Sequence, residues 1–374
     1  DDKEFIKCKD PDLFREELLN HRWASNNCVF AKKNADYEKL IELIKKNGEP
    51  SVFFIENARK YGRMGETIKD CKIGGTNPCG EIGLESYELC NLVETIPVNH
   101  ESIEEYLETL ELAYLYAKFV SLKNTHWNIT NAVILKNRRL GISQTGISEA
   151  IVKFGRTNLL RMCDKGYNYI RKIDDEYSKT LCVQESIKVT TIKPSGTVSI
   201  LAGVSPGIHF PHSKYYIRRV TIDKGADLIP ILRKANYTIE ESILSPNSFV
   251  VEFPVKVPNK HYNKSKFKTS IWEQLGLVID YQKYWADNQI SVTLTFNPEE
   301  KSQLLPLLQF AEDKVKSLSF LAIDNKTYEQ KPYEAIDKKT YEKMIEKINK
   351  ISEKDLSTSR DRALGEKYCN SDKC

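Results

Sequence analysis

Residues 69–92 read KDCKIGGTNPCGEIGLESYELCNL. The stretch is rich in glycine, asparagine and cysteine, so it reads as an ordered loop. At its centre stands Asn77-Pro78-Cys79-Gly80-Glu81. Pro78 stiffens the approach to Cys79, and Gly80 removes the neighbouring side chain. Glu81 lies two residues beyond the thiol, and on an extended backbone such residues point the same way. A carboxylate beside a thiol opposes thiolate formation, because like charges raise the thiol pKa. The pattern is therefore poor for a nucleophilic cysteine. It suits a neutral thiol that gives up a hydrogen atom, with a carboxylate at hand for proton transfer. Taken alone, the five residues fit a structural turn with an incidental cysteine equally well.

Working outward, strand and helix signals alternate. Tyr37–Lys46 has a helical pattern stopped by Gly48, and Ser51–Ile55 (SVFFI) reads as a buried strand. Ile103–Val120 is a long amphipathic helix, with Tyr106, Leu110, Ala113, Tyr114 and Ala117 at helical spacing. Lys188–Ile192 looks like a strand, and Gly196–Leu201 like a turn followed by an apolar run. Ser248–Val255 is a strand ended by its proline. Ile290–Phe296 (ISVTLTF) alternates cleanly. Leu304–Val315 reads as helix and Ser319–Ile323 as strand. This order predicts an α/β fold with at least partly parallel strands. Beyond Lys331 the chain turns polar, and past Lys354 it lacks large apolar residues, which predicts a mobile tail.

Composition narrows the function classes. The chain has 374 residues, 40% of them apolar, with 56 basic against 52 acidic side chains and a net charge of +4. That balance gives no basic footprint for nucleic acid. No apolar run approaches the ~18 residues of a membrane span. The charged start carries no signal peptide and no initiating methionine, so a processed or partial chain is expected. The nine cysteines include no C-x2-C pair, which argues against structural zinc. Without a secretory signal they read as reduced, cytoplasmic thiols.

The motifs then fall into one order. NPCGE, eight residues, and Cys90-Asn91-Leu92 resemble the active-site loop of adenosylcobalamin-dependent (class II) ribonucleotide reductases. Asn137-Arg138-Arg139-Leu140-Gly141 resembles that family's NRR-[LI]-G segment. Lys193-Pro194-Ser195-Gly196-Thr197 resembles its phosphate loop, and Gly203–His209, Lys214–Val220 and Trp285–Thr293 resemble the stretches beyond it. Gln330–Glu334 and the closing Cys369/Cys374 pair resemble its tail. The agreement runs from about Ser25 to the last residue, in family order.

The resemblance implies part of a ten-stranded α/β barrel over 1–330, with an inserted finger loop (about 74–92) and a phosphate loop (about 193–199). Residues 331–374 would form a C-terminal segment with a mobile redox-cysteine tail. It further implies that adenosylcobalamin generates the radical that takes a hydrogen atom from Cys79. The thiyl would abstract the ribose 3′-hydrogen of a ribonucleoside di- or triphosphate. Glu81 would be the general base and Asn77 would hold the ribose hydroxyls. Cys90 would be one of two reducing thiols, and Cys369 and Cys374 would re-reduce their disulfide and pass the oxidation to a thioredoxin-like reductant. Ser25-Asn26-Asn27 and Lys193, Pro194, Ser195, Gly196 and Thr197 would face the substrate. His209 and His212 read as loop histidines, while Arg138-Arg139 and Arg218-Arg219 fit either internal carboxylates or phosphate.

One departure stands out. Only 78 residues precede Cys79, whereas the family places the partner of the Cys90-type thiol on an early barrel strand far upstream. Cys28 is a poor substitute because it adjoins the Ser25-Asn26-Asn27 segment. The expectation is a split or truncated enzyme that needs a second polypeptide for the N-terminal half of its barrel. A degenerate fragment, serving as a nucleotide-binding or scaffold subunit, stays open as the alternative.

Overall fold

The computed structural model describes residues 3–10, 12–14, 17, 22, 25–243, 245–257, 262, 264–323, 330–352 and 356. In chain order its strands are β1 (Cys28–Phe30), β2 (Ser51–Phe53), β3 (Gly75–Thr76), β4 (Gly83–Leu84), β5 (Leu92–Thr95), β6 (Gly141–Gln144), β7 (Tyr215–Asp223), β8 (Ile239–Glu241), β9 (Ser248–Lys256), β10 (Thr293–Phe296), β11 (Ser317–Ala322) and β12 (Tyr333–Ala335).

The strands that position the site form one continuous ladder. β5 pairs parallel with β6, and Ile142 on β6 bridges in parallel to Thr190. Ile192 bridges in parallel to Ile290, at the approach to β10, and β10 pairs parallel with β11. β11 then meets β2 antiparallel, and β2 pairs parallel with β1. Five neighbouring segments therefore run one way and two run the other. Among the described residues, neither β1 nor β5 has a strand on its outer edge.

The core lies behind this ladder. Ile290, Val292, Leu294 and Phe296 are all buried, as their alternation requires. The helix Ile103–Ser121 starts at Ser102, whose side chain caps the Glu105 amide, and buries Tyr106, Leu110, Ala113, Tyr114 and Ala117. It packs on β5, on β6 and on the helix Arg156–Thr180. That 25-residue helix buries Leu159, Met162, Cys163, Tyr167, Ile170 and Ile173, a spacing of three and four that marks one face.

A second, antiparallel sheet has the order β12-β7-β9-β8. It holds the described part of the C-terminal segment, since β12 pairs with β7 and the helix Lys338–Lys347 packs on β7 and β9.

Several expected bounds shift. β9 runs through Pro254 to Lys256 instead of ending there. The proline is tolerated because β8 pairs only with Phe249–Val251, leaving one side of β9 unpaired at Pro254. The Ser51–Ile55 strand stops at Phe53, and a helix occupies Ile55–Lys60. Lys188–Ile192 joins the ladder through isolated bridges, and the apolar run after Gly196 is a helical turn, Val198–Leu201. No described helix is long and apolar enough to cross a membrane.

Candidate active site

The loop 74–92 is gripped at its base by one buried arginine. Arg139 donates from Nη1 and Nη2 to the two carboxylate oxygens of Asp70 at 2.8 and 2.9 Å, and from Nε to Glu88 Oε1 at 2.9 Å. Asp70 precedes the loop and Glu88 lies near its end, so a single guanidinium clasps both. Buried Lys188 adds an ion pair to Asp70 at 2.9 Å and donates to the Ala58 carbonyl at 2.7 Å. Burial alone would raise the Asp70 pKa, but Arg139 and Lys188 outweigh it and hold the carboxyl below its usual range.

From that base β3 and β4 form a short hairpin whose tip is Asn77–Ile82. Asn77 Oδ1 accepts from the Ile82 amide at 3.0 Å, and its carbonyl accepts from the Gly80 amide at 2.9 Å. Gly80 sits at φ +79°, a left-handed conformation that glycine takes without penalty. A Cβ there would meet nothing within 4 Å, so the space beside Cys79 is open.

The tip is tied to the parallel strands. Ser291 Oγ donates to the Cys79 carbonyl at 2.7 Å. The Glu81 carbonyl accepts from the Gln289 amide at 3.0 Å and from Thr191 Oγ1 at 2.8 Å. Gln289 Oε1 in turn accepts from the Gly83 amide at 2.9 Å.

The ionisable groups at the tip are coupled. Glu81 is fully buried, and neither carboxylate oxygen has a hydrogen bond among the described residues. Lys193 Nζ lies 3.8 Å from Glu81 Oε1. Burial raises the Glu81 pKa, while the Asn77 amide and the Lys193 ammonium pull it back. Cys79 is half-buried, and burial, then the Glu81 charge, push its thiol up to about 11, against the opposing pull of Lys193. Cys90 is exposed. Desolvation, then Glu81, push it up to about 12. At pH 7.5 a Cys79 pKa of about 11 leaves roughly one thiol in three thousand ionised. Both thiols keep their hydrogen, the state that hydrogen-atom donation requires.

Across from the tip runs the loop 193–197. Ser195 holds φ +52°, uncommon for a residue with a side chain. Its Oγ donates to Glu94 Oε2 at 2.6 Å, and the Lys193 amide donates to Ser143 Oγ at 2.8 Å. The amides of Ser195, Gly196 and Thr197 have no acceptor among the described residues. Pro194 and Gly196 are half-buried and Thr197 is exposed. Free amides at the start of a helical turn suit an anion.

The Ser25-Asn26-Asn27 segment divides. Asn26 Nδ2 donates to the Pro78 carbonyl, so it touches the tip. Ser25 Oγ donates to the Arg22 carbonyl at 2.9 Å, and buried Asn27 donates to Cys8 Sγ at 3.1 Å. Cys369 and Cys374 lie outside the described residues.

One arginine of each pair meets carboxylates, Arg139 as above and Arg219 to Glu252 and Glu334, both at 2.6 Å, while Arg138 donates to the Ser121 carbonyl and Arg218 to the Arg219 and Pro332 carbonyls. His209 Nε2 accepts from the Thr293 amide at 3.0 Å while Nδ1 faces the Pro206 carbonyl at 3.1 Å. That fixes a neutral ring pinning the loop to β10, with burial pushing its pKa down to about 4. Among the described residues no His/Cys/Asp/Glu cluster could hold a metal.

The comparisons with known proteins point one way. No protein-family model matches the chain. A probable adenosylcobalamin-dependent ribonucleoside-triphosphate reductase from Dictyostelium discoideum is 42% identical, over 100% of this chain and 50% of that protein. The adenosylcobalamin-dependent enzyme from Euglena gracilis is 39% identical, over 100% of this chain and 52% of that protein. A crystal structure of a B12-dependent (class II) ribonucleotide reductase superposes with a TM-score of 0.82 at 35% identity, over 95% of this chain and 54% of that one. Over its whole length the chain is similar to class II ribonucleotide reductases. It spans about half the length of the curated relatives it matches. The class Id ribonucleotide reductase alpha subunit of Actinobacillus ureae shares the fold alone, with a TM-score of 0.54 at 16% identity.

Within this reductase fold the structure adds residues that sequence reasoning missed. Glu94, on β5, sits under the 193–197 loop and is pushed up to about 7, chiefly by burial. Ser291 and Gln289 tether the tip. Their only sequence signal is polar side chains on a strand whose other face is apolar.

Proposed function

We propose that the chain supplies the radical-cysteine part of a class II ribonucleotide reductase, converting ribonucleoside triphosphates to 2′-deoxyribonucleotides. The observation that carries this is the site itself: two neutral thiols, Cys79 and Cys90, lie beside a buried carboxyl, Glu81, whose pKa burial raises. The triphosphate follows the names of the relatives, which are ribonucleoside-triphosphate reductases.

In this reading Cys79 gives up its hydrogen atom and then takes one from the ribose. Glu81 accepts the proton of a ribose hydroxyl, which eases departure of the 2′-oxygen as water. Asn77 fixes the hydroxyls against the tip. Reduction at C2′ consumes two electrons and two protons. Cys90 and a second thiol supply them and become a disulfide. Lys193, Pro194, Ser195, Gly196 and Thr197 receive the phosphates, and Ser25-Asn26-Asn27 borders the substrate through Asn26.

Adenosylcobalamin fits this site: Cys79 is a neutral thiol beside the open space at Gly80. Cys79 and Gly80 are the residues the group would meet. When bound, it supplies the initiating radical chemistry.

A second polypeptide segment completes the barrel to ten strands in this reading, extending the ladder from the free edges of β1 and β5. The surface beside β5 supports it. On the helix Ile103–Ser121, Leu112, Tyr116, Phe119 and Val120 form an exposed apolar stripe, with Leu112 69% accessible. The next helix, Asn128–Asn137, is apolar yet buries only Thr130 and Asn137. A strand added to β5 would bring its own covering helix against this face. That segment would carry the thiol partner of Cys90. Residues 1–330 serve as the barrel part, and Cys369 and Cys374, near the end of 331–374, relay electrons from a thioredoxin-like reductant.

The test is deoxynucleotide formation from the four ribonucleoside triphosphates with adenosylcobalamin and dithiothreitol. Activity only when a polypeptide carrying the rest of the barrel is supplied supports the proposal. Inactivity of the folded, assembled protein would overturn it and leave a nucleotide-binding scaffold.

A further inference from the structure

Glu94 belongs to none of the motifs that mark the site, yet it holds the loop that would bind phosphate. Its carboxylate reaches across β6. Ser143 Oγ accepts from the Lys193 amide at 2.8 Å, so its own hydrogen goes to Glu94 Oε1 at 3.0 Å. Ser195 Oγ gives its single hydrogen to Glu94 Oε2 at 2.6 Å. One buried carboxyl thus fixes both ends of Lys193–Ser195, including the left-handed turn at Ser195.

That arrangement creates a conflict for an anionic ligand. A phosphate on the free amides of 195–197 needs the Ser195 hydroxyl as a donor, and that hydrogen is committed to Glu94. The charges facing Glu94 are Lys193 on its loop and Glu81 on the finger tip. The neutral Tyr106 phenol, on the helix Ile103–Ser121, packs close by. One ammonium thus serves two carboxyls before any phosphate arrives.

We propose that Glu94 is a positioning residue for the phosphate loop and couples triphosphate binding to uptake of one proton. The proton comes from solvent onto Glu94. The Glu94 O–H then donates to Ser195 Oγ, and the Ser195 O–H turns to a phosphate oxygen. No hydrogen bond is lost, and one negative charge is removed beneath the ligand. Burial already pushes Glu94 up to about 7, so the proton costs little near neutrality. The inference rests on the phosphate-loop reading given above.

The test is calorimetric titration of the full chain with ATP and, separately, inorganic triphosphate, in buffers of differing ionisation enthalpy. The wild type should take up about one proton per ligand at pH 8, and its dissociation constant should rise about tenfold from pH 7.5 to 8.5 beyond the ligand's own titration. Glu94→Gln, whose amide donates to Ser195 as a protonated carboxyl would, should lose that extra slope and bind about thirtyfold tighter at pH 8.5. Ser195→Ala should bind more weakly and lose the same slope, which tests the relay should the glutamine variant not fold. Binding with equal slopes in all three proteins would overturn the role of Glu94 and leave the phosphate loop standing. No binding of either ligand at any pH would remove the phosphate-loop reading and this inference together.

Discussion

Replacing Asp70 with asparagine should unfasten the finger loop at its base. Asp70 accepts two hydrogen bonds from Arg139 and an ion pair from Lys188, all between buried groups and all within 2.9 Å. The amide keeps the shape and removes the charge, which leaves Lys188 without a carboxylate and Arg139 with Glu88 alone. Breaking a buried pair on one side costs about 3–5 kcal/mol, because the uncompensated charge stays desolvated. Release of the Lys188 proton limits the loss, since burial already lowers that pKa. With about 2 cal/mol/K of unfolding entropy per residue, a chain of this size should lose about 4–7 °C in Tm. Urea denaturation and calorimetry would read both figures, with the urea slope unchanged. Pairing the change with Lys188→Met removes the orphaned cation and should recover a large part of the loss. A destabilisation below about 1 kcal/mol, or a double variant no better than the single one, would refute the clasp.

Three further outcomes follow from the geometry. Cys79 should react with iodoacetamide at pH 7.5 about 300-fold more slowly than a free thiol of pKa ~8.5, its rate climbing until about pH 11; peptide-resolved mass spectrometry would read this, and a plateau below pH 9 would contradict the shielding by burial and Glu81. The depressed His209 pKa makes its contribution to stability complete above pH 6.5 and progressively lost as pH falls toward 4, by up to about 3 kcal/mol; denaturation at pH 7 and 4.5 should show a smaller acid loss in His209→Gln, and equal losses would count against the neutral pin. Leu112→Asp with Phe119→Asp should change the stability of the chain alone by no more than about 0.5 kcal/mol, yet prevent association with the rest of the barrel in light scattering; unimpaired association would place the docking face elsewhere.

The finger tip was legible because its chemistry is local. Proline, cysteine, glycine and glutamate in five residues announce a rigid turn with a protonated thiol, and the structure puts Asn77, Cys79 and Glu81 within one short hairpin. The long helix at 103–121 and the alternation at 290–296 were equally plain, since each pattern spans several repeats. The helix at 156–180 carries the same three-and-four spacing, but Arg161, Lys165, Arg171 and Lys172 dilute it, and counting matches along one face would have found it. Glu94 could not be read this way. In Leu92-Val93-Glu94-Thr95 it looks like the outward residue of an edge strand, and only the meeting of β5, β6 and the 193–197 loop gives it Ser143 and Ser195. Pro254 misled for a related reason: a proline ends a strand only where its missing N–H had a partner, and β8 stops short of it.

The central claim is that Cys79 starts a reaction that Cys90 completes. The most direct measurement is a single turnover of the pre-reduced, assembled protein with ATP and adenosylcobalamin and no added reductant, counting deoxynucleotide and the disulfide at Cys90 together. With Cys369→Ser and Cys374→Ser in the background, the account predicts one deoxynucleotide per Cys90 disulfide, and no product when Cys79 is also replaced by serine. Deoxynucleotide formed by the Cys79→Ser protein, or formed without oxidation of Cys90, would contradict it.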